Sequence, residues 1–247
     1  MKEVGIFVRV ICSGILMLGT QALEQPNLSA TSPPPPPPTT GTPKGNSTPG
    51  TTRPEATCKQ TNKPLTALNA NNGNDFTASP YPSFWFYVPY SQNDIRHAEF
   101  ILLDAQEHTT IYQTTVKLAT TTGLIKITLP SASKNLLQPN QNYRWYLMLN
   151  CQGSNSDEPD AVVDGWIQYK VINSNLLHHQ VDKLYKYIFY TKNNLWYDAV
   201  NDLAQLHFKY PGDAEIQGAW INLLKQLDKE WVAPEQFVDA VSVSIHQ

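Results

Sequence analysis

A chain of 247 residues with 18 Lys and Arg against 21 Asp and Glu carries a formal net charge of −3. At a pI of about 6.0 it lacks the basic footprint of a nucleic-acid or anionic-membrane binder. Hydrophobic residues at 41% and aromatics at 11% suffice for a packed core, in one domain or one domain with a small appendage.

The N-terminus reads as an export signal over residues 1–22. Lys2 and Arg9 outweigh Glu3, Val10 to Leu18 is apolar, and Thr20 and Ala22 place small residues at a cleavage site. The apolar stretch falls short of the about 20 residues that a spanning helix needs. An uncleaved signal anchor is the alternative. Residues 23–57 read as a disordered linker rich in Pro, Thr and Ser, with too little apolar surface to offset its ordering entropy. The run Pro33–Pro38 favours polyproline II, read as a spacer, or else as a ligand for an aromatic groove. Cys12 falls inside the leader, which leaves Cys58 and Cys151. In an oxidising compartment the two are expected to form one disulfide. It would close a loop of about 90 residues, a constraint of on the order of 4 kcal/mol by chain entropy.

Residues 58–172 read as β structure. A first short strand is expected around Pro64 to Leu68. Ser83 to Val88 is aromatic and β-branched between prolines, with Phe84, Phe86 and Val88 on one face and Trp85 and Tyr87 on the other. Ala98 to Leu103 and Thr109 to Leu118 flank a polar turn and predict an antiparallel hairpin. Gly123 to Leu129 alternates, with Ile125, Ile127 and Leu129 on one face. Tyr143 to Leu149 and Ala161 to Tyr169 complete the set. This spacing predicts an antiparallel β-sandwich of immunoglobulin-like or fibronectin-like type; a partly open barrel shares the alternation. Leu137 to Trp145 resembles the turn before a late strand of such domains, where a tyrosine hydroxyl bonds back to the upstream backbone. Tyr143 is the candidate.

After Ile172 the period changes to three and four. Leu177, Val181, Leu184, Tyr185 and Ile188 mark one amphipathic helix, and Trp196, Ala199, Val200, Leu203 and Leu206 a second. Tyr210 to Asp213 breaks the pattern, and Asp213 can cap a third stretch through Ile216, Ala219, Trp220, Leu223, Leu224 and Leu227. Trp196 to Leu227 looks like about one tetratricopeptide repeat. A lone repeat does not stand by itself, so the favoured reading of residues 173–230 is a small helical hairpin packed on the β domain. A docking surface for a partner peptide or helix is the sharper alternative. Residues 231–247 read as a C-terminal tail.

The sequence offers no catalytic set, cofactor motif or metal-ligand spacing. It has no Gly-x-Ser-x-Gly elbow and no glycine-rich phosphate loop. Six histidines are scattered, and adjacent His178 and His179 diverge on a helix. Asp157 to Asp160 reads as a solvated acidic turn rather than a calcium loop. Trp85 and Trp166 are the candidates for an outward aromatic face that stacks sugars, although most large aromatics in a small sandwich are core.

Together these segments resemble the cyanobacterial family catalogued as domain of unknown function 928. The resemblance rests on Cys58 with Pro64 to Leu68, Pro82 to Tyr90, and Ala98 to Phe100 with Leu103 and Asp104. It continues through Tyr112 to Thr115, Tyr143 to Tyr146, Asp164 to Gln168, and Trp196 to Ala199 with Leu203 and Ala204. It implies a cyanobacterial envelope protein and brings no activity and no catalytic residues. The expectation is therefore an exported, non-catalytic interaction module, periplasmic or extracellular, with a protein partner in the envelope. A carbohydrate-binding module contacting polysaccharide is the alternative, and a hydrolase a more remote one. Neither nucleic acid nor a spanning helix after leader removal is expected.

Overall fold

The computed structural model describes residues 41–48, 58–131, 136–154, 157–173 and 182–238, and the backbone of 241–244. The leader, most of the linker, and Leu177, His178, His179, Val181 and His246 lie outside these residues. The strands are β1 (Thr66–Ala67), β2 (Phe76–Thr77), β3 (Ser83–Val88), β4 (Ile95–Asp104), β5 (Thr110–Lys117), β6 (Gly123–Thr128), β7 (Asn142–Cys151) and β8 (Ala161–Tyr169). Helices α1 (Tyr185–Lys192), α2 (Trp196–Lys209) and α3 (Ala214–Gln226) follow, then β9 (Val241–Ser244). The protein is thus mainly β with a C-terminal helical appendage of three helices among the described residues.

One sheet has the order β1-β3-β6 and the other β2-β8-β7-β4-β5-β9. Neighbours are antiparallel except β2 and β8, which run parallel. The expected hairpin is β4–β5, its turn closed by the His108 amide donating to Asp104 Oδ1 at 2.8 Å. Of the first expected strand, only Thr66 and Ala67 join a ladder.

Strand β3 organises the layers, because it is apolar on both faces. Phe84, Phe86 and Val88 enter the core between the sheets, where Phe84 meets Phe100 at 4.8 Å and Phe86 meets Trp145 at 5.5 Å. Trp85 and Tyr87 point the other way, into a second core shared with Leu124 of β6 and the apolar stripes of α2 and α3. The three-stranded sheet is therefore a middle layer between the six-stranded sheet and the helices.

Tyr197 crosses that middle layer. It leaves α2, packs edge-on against Phe84 at 5.4 Å, and is buried in the core between the sheets. Its hydroxyl accepts from Trp145 Nε1 and donates to the Trp166 carbonyl, both at 2.7 Å. Gly165 makes this possible, since a Cβ there would stand 2.3 Å from the Trp145 ring. Burial raises the Tyr197 hydroxyl pKa well above its ordinary value, so it stays protonated and keeps donating.

Local stops follow sequence chemistry. Asp213 accepts from the amides of Glu215 and Ile216 at 3.0 and 3.2 Å and starts α3, after a turn carried by Gly212 at φ 86°. The Tyr143 hydroxyl accepts from the Gln138 amide at 2.9 Å, five residues upstream, as expected for the corner. Cys58 and Cys151 form a disulfide with their Cα atoms 5.1 Å apart, tying the segment ahead of β1 to the end of β7 across 93 residues.

Two boundaries are corrected. Residues 41–48, read as linker, are bonded to the domain. The Asn46 carbonyl accepts from Asp164 of β8 at 2.8 Å, and Ser47 accepts from Ala67 of β1 at 2.9 Å, so this segment bridges the two sheets. Backbone hydrogen bonding supplies the order that its composition does not signal. Described residues of the stretch read as a C-terminal tail, 231–247, are likewise bonded to the sheets. Gln236 and Val238 bond to both sides of Leu124 at 2.8 Å, and β9 extends the large sheet beside β5.

Replacing Tyr197 with Phe strands a buried indole N–H and a buried carbonyl. We expect a loss of about 2–4 kcal/mol, read as a lower denaturation midpoint at unchanged slope.

Candidate functional site

The helical tail builds a concavity. Helix α2 carries its buried stripe Trp196, Val200, Leu203 and Ala204 one turn further to His207 and Phe208. Helix α3 packs through Ile216, Ala219, Trp220, Leu223 and Leu224. Residues 231–238 then return as a strap. Trp231 meets Tyr87 edge-on at 5.3 Å, and Lys63 pairs with Glu235. Gly123 leaves room for this strap, since a Cβ there would lie 2.4 Å from the Gln236 carbonyl oxygen.

Phe237 is the floor. Its ring centroid lies 4.8 Å from Phe208, 5.2 Å from His207, 5.6 Å from Trp220 and 5.5 Å from Trp85. Above it opens a groove of about 660 Å³, walled by Phe208, Trp220 and Ile221, with Pro211 and Pro234 also lining it. The volume lies in the range of ligand sites. Phe208 and Ile221 are 57% and 43% exposed, and Tyr210 beside them is also exposed. Large apolar side chains grouped at the mouth of an apolar groove mark a contact surface.

The candidate sugar-stacking rings lie elsewhere and are covered. Trp85 is 5% exposed, beneath α2, where its Nε1 reaches Asn201 Oδ1 at 3.4 Å. Trp166 is 8% exposed, with the Arg144 guanidinium 5.4 Å from its ring centre. That guanidinium also donates to Glu107 at 2.7 Å and to Asp164 at 3.0 Å. The expectation of outward rings is therefore corrected: a helical layer covers one and a held arginine the other.

Beneath α2 sits a second polar group. Asp198 accepts the Ala78 amide at 2.8 Å, which fixes the exit of β2. Asp202, one turn on, has an oxygen buried without a hydrogen-bond partner among the described residues. Burial pushes both carboxyls up to about 6, against their own hydrogen bonds for Asp198 and against Lys186 for Asp202. Burial likewise lifts Tyr190, which faces both, to about 12. Lys229 donates to the Asn69 and Leu227 carbonyls at 2.9 Å after α3; burial lowers it to about 8, with Asp75 opposing. Asp198 and Lys229 thus join the tail to Ala78 and Asn69 of the β part.

Asp160 is not a solvated acid. It accepts the Cys151 amide at 2.8 Å and the Ser154 hydroxyl at 3.1 Å. Its carboxylate lies near both sulfurs of the bridge, a cluster of metal-ligating types whose thiols are spent on each other.

These features define a class: a disulfide-tied protein of two sheets whose smaller sheet is covered by a helical layer. The chain belongs to the family described as Domain of Unknown Function (DUF928), whose model matches residues 48–237. That span includes the three helices and the strap as far as Phe237. A search of curated proteins finds no match. No helix among the described residues is long and apolar enough to cross a membrane.

Folding raises the Asp198 and Asp202 pKa values above the unfolded ones. Their contribution to stability is therefore complete below about pH 4 and lost as pH rises through about 6. We expect Asp202→Asn to stabilise the protein at pH 8 by on the order of 1–3 kcal/mol and to be neutral at pH 4. Thermal melts across that range check the sign.

Proposed function

We propose that this protein is an exported, non-catalytic interaction module of the cell envelope, and that the groove on its helical tail is the contact surface. The observation that carries the reading is the grouping of Phe208 and Ile221, exposed, around a groove floored by Phe237. The export-type N-terminus and the disulfide support a location where thiols oxidise. The family resemblance supports a cyanobacterial source. The Tyr143 corner supports a fibronectin-like reading of the two sheets. The tetratricopeptide-like pattern of the tail supports peptide binding on α2 and α3. The burial of Trp85 and Trp166 favours this reading over the polysaccharide alternative.

Tagged protein incubated with envelope extract should retain a partner that Phe208→Asp and Ile221→Asp each lose at unchanged melting temperature. Equal retention by both variants, or a reproducible turnover of any substrate, contradicts the reading. Protein recovered from the producing cell should begin near Leu23. An intact chain in the soluble interior contradicts export.

A further inference from the structure

We propose that Cys58, Cys151 and Asp160, once the bridge between the two cysteines is reduced, hold a soft divalent cation, zinc by ligand type. This corner then has two exclusive states, a disulfide or a metal clip, and thiol chemistry selects between them. The site is separate from the groove on the helical tail and stands or falls without it.

Cys58 lies in the segment ahead of β1, Cys151 ends β7, and Asp160 immediately precedes β8. The fold brings all three together: both sulfurs and a carboxylate oxygen of Asp160 lie within 4.8 Å of one another. A tetrahedral zinc ion, with bonds of about 2.3 Å to sulfur and about 2.0 Å to oxygen, sets its ligand atoms about 3.5–3.8 Å apart. With the two Cα atoms 5.1 Å apart, rotation about the Cα–Cβ bonds parts the freed sulfurs to that spacing. Two thiolates favour zinc over calcium or magnesium. Three protein ligands leave the fourth position to water.

Asp160 is oriented before any ion arrives. One carboxylate oxygen accepts the Cys151 amide at 2.8 Å, and the other accepts the hydroxyl of buried Ser154 at 3.1 Å. Each oxygen keeps a second lone pair for a metal. Hydrogen bonds of this kind fix the aim of ligating carboxylates. The turn between β7 and β8 is closed around the acid, whose amide donates to the Leu149 carbonyl at 2.9 Å. Cys151 is 1% exposed, whereas Cys58 is only partly buried, so a reductant and an ion both enter from the Cys58 side.

A dithiol is the reductant. Its thiolate attacks Cys58 Sγ, the S–S bond breaks, and Cys151 leaves as a thiolate. The second thiol of the reductant then displaces Cys58 and closes its own ring disulfide. Two electrons have passed to the protein, and the ion binds the two thiolates in place of protons. In the reverse direction a disulfide oxidant takes two electrons back, the bridge closes, and the ion leaves. The metal clip ties the same two points as the bridge, 93 residues apart, so it restrains the chain at the same place.

The full chain carrying Cys12→Ala keeps Cys58 and Cys151 as its only cysteines. It is reduced with a dithiol, freed of the reductant without air, and titrated with cobalt(II) as the probe ion. We expect one ion per chain, thiolate-to-cobalt charge-transfer absorption, and half-saturation at about 10 µM or below. Asp160→Asn should weaken binding at least tenfold, and the unreduced chain should show no charge-transfer band. Zinc at a hundredfold excess over its dissociation constant should raise the melting temperature of the reduced chain by about 5 °C and leave the oxidised chain unchanged. Oxidised glutathione should release the ion in step with the loss of free thiol. Absence of charge-transfer absorption at about 1 mM cobalt, equal binding by Asp160→Asn, or an equal zinc shift in the oxidised chain overturns the proposal. So does a reduced chain that loses its near-ultraviolet circular dichroism and does not regain it with zinc.

Discussion

One hydroxyl, that of Tyr197, stands between two indole-bearing strands and ties the helical layer to the six-stranded sheet. It accepts from the side chain of Trp145 on β7 and donates to the backbone of Trp166 on β8, while its ring lies against Phe84 of β3. None of these partners can turn to water instead, because all lie in the interior. A buried donor and acceptor that lose their partner each cost more than the bond they make. The start of α2 is therefore placed by polar bonds with defined direction. Asp198 adds a second such bond, to the exit of β2.

Everything outward of that clamp follows from where it puts α2. With the helix start fixed, its apolar stripe lies on Trp85 and Tyr87, and the small sheet becomes an interior layer. Helix α3 covers the rest, and the strap closes over Leu124 and drives Phe237 between the helices and β3. The groove is what remains between α2, α3 and the strap. Its walls are continuous with the second core, so the groove is continuous with packing that the fold already requires. The disulfide joins the segment ahead of β1 to the end of β7.

Much of this was legible in the residues. Alternation assigned the faces of β3 and β6 correctly, because each strand pairs regularly over six residues. Asp213 after a Pro-Gly turn announced the third helix, and Cys58 with Cys151 announced the bridge. The role of Trp85 and Trp166 was not legible. A strand with rings on both faces reads equally as one core with a binding face or as two cores. The choice depends on helices more than a hundred residues away. Residues 41–48 look like linker because Gly, Thr, Pro and Ser carry no periodic signal, yet their backbone bridges two strands. The strap was missed for a similar reason, since Phe237 is a lone aromatic without a repeat. One signal for the groove was present: Phe208 extends the α2 stripe beyond its last buried position, and Tyr210 follows directly.

The central claim is that the helical layer and the six-stranded sheet open together because Tyr197 joins them. Native-state hydrogen exchange, followed peptide by peptide under conditions where opening limits labelling, tests it most directly. The account predicts that amides of α2 share the protection free energy of β7 and β8 and respond to denaturant with the same slope. Exchange of α2 and α3 by a separate, lower-energy opening, with β7 and β8 still protected, would contradict it.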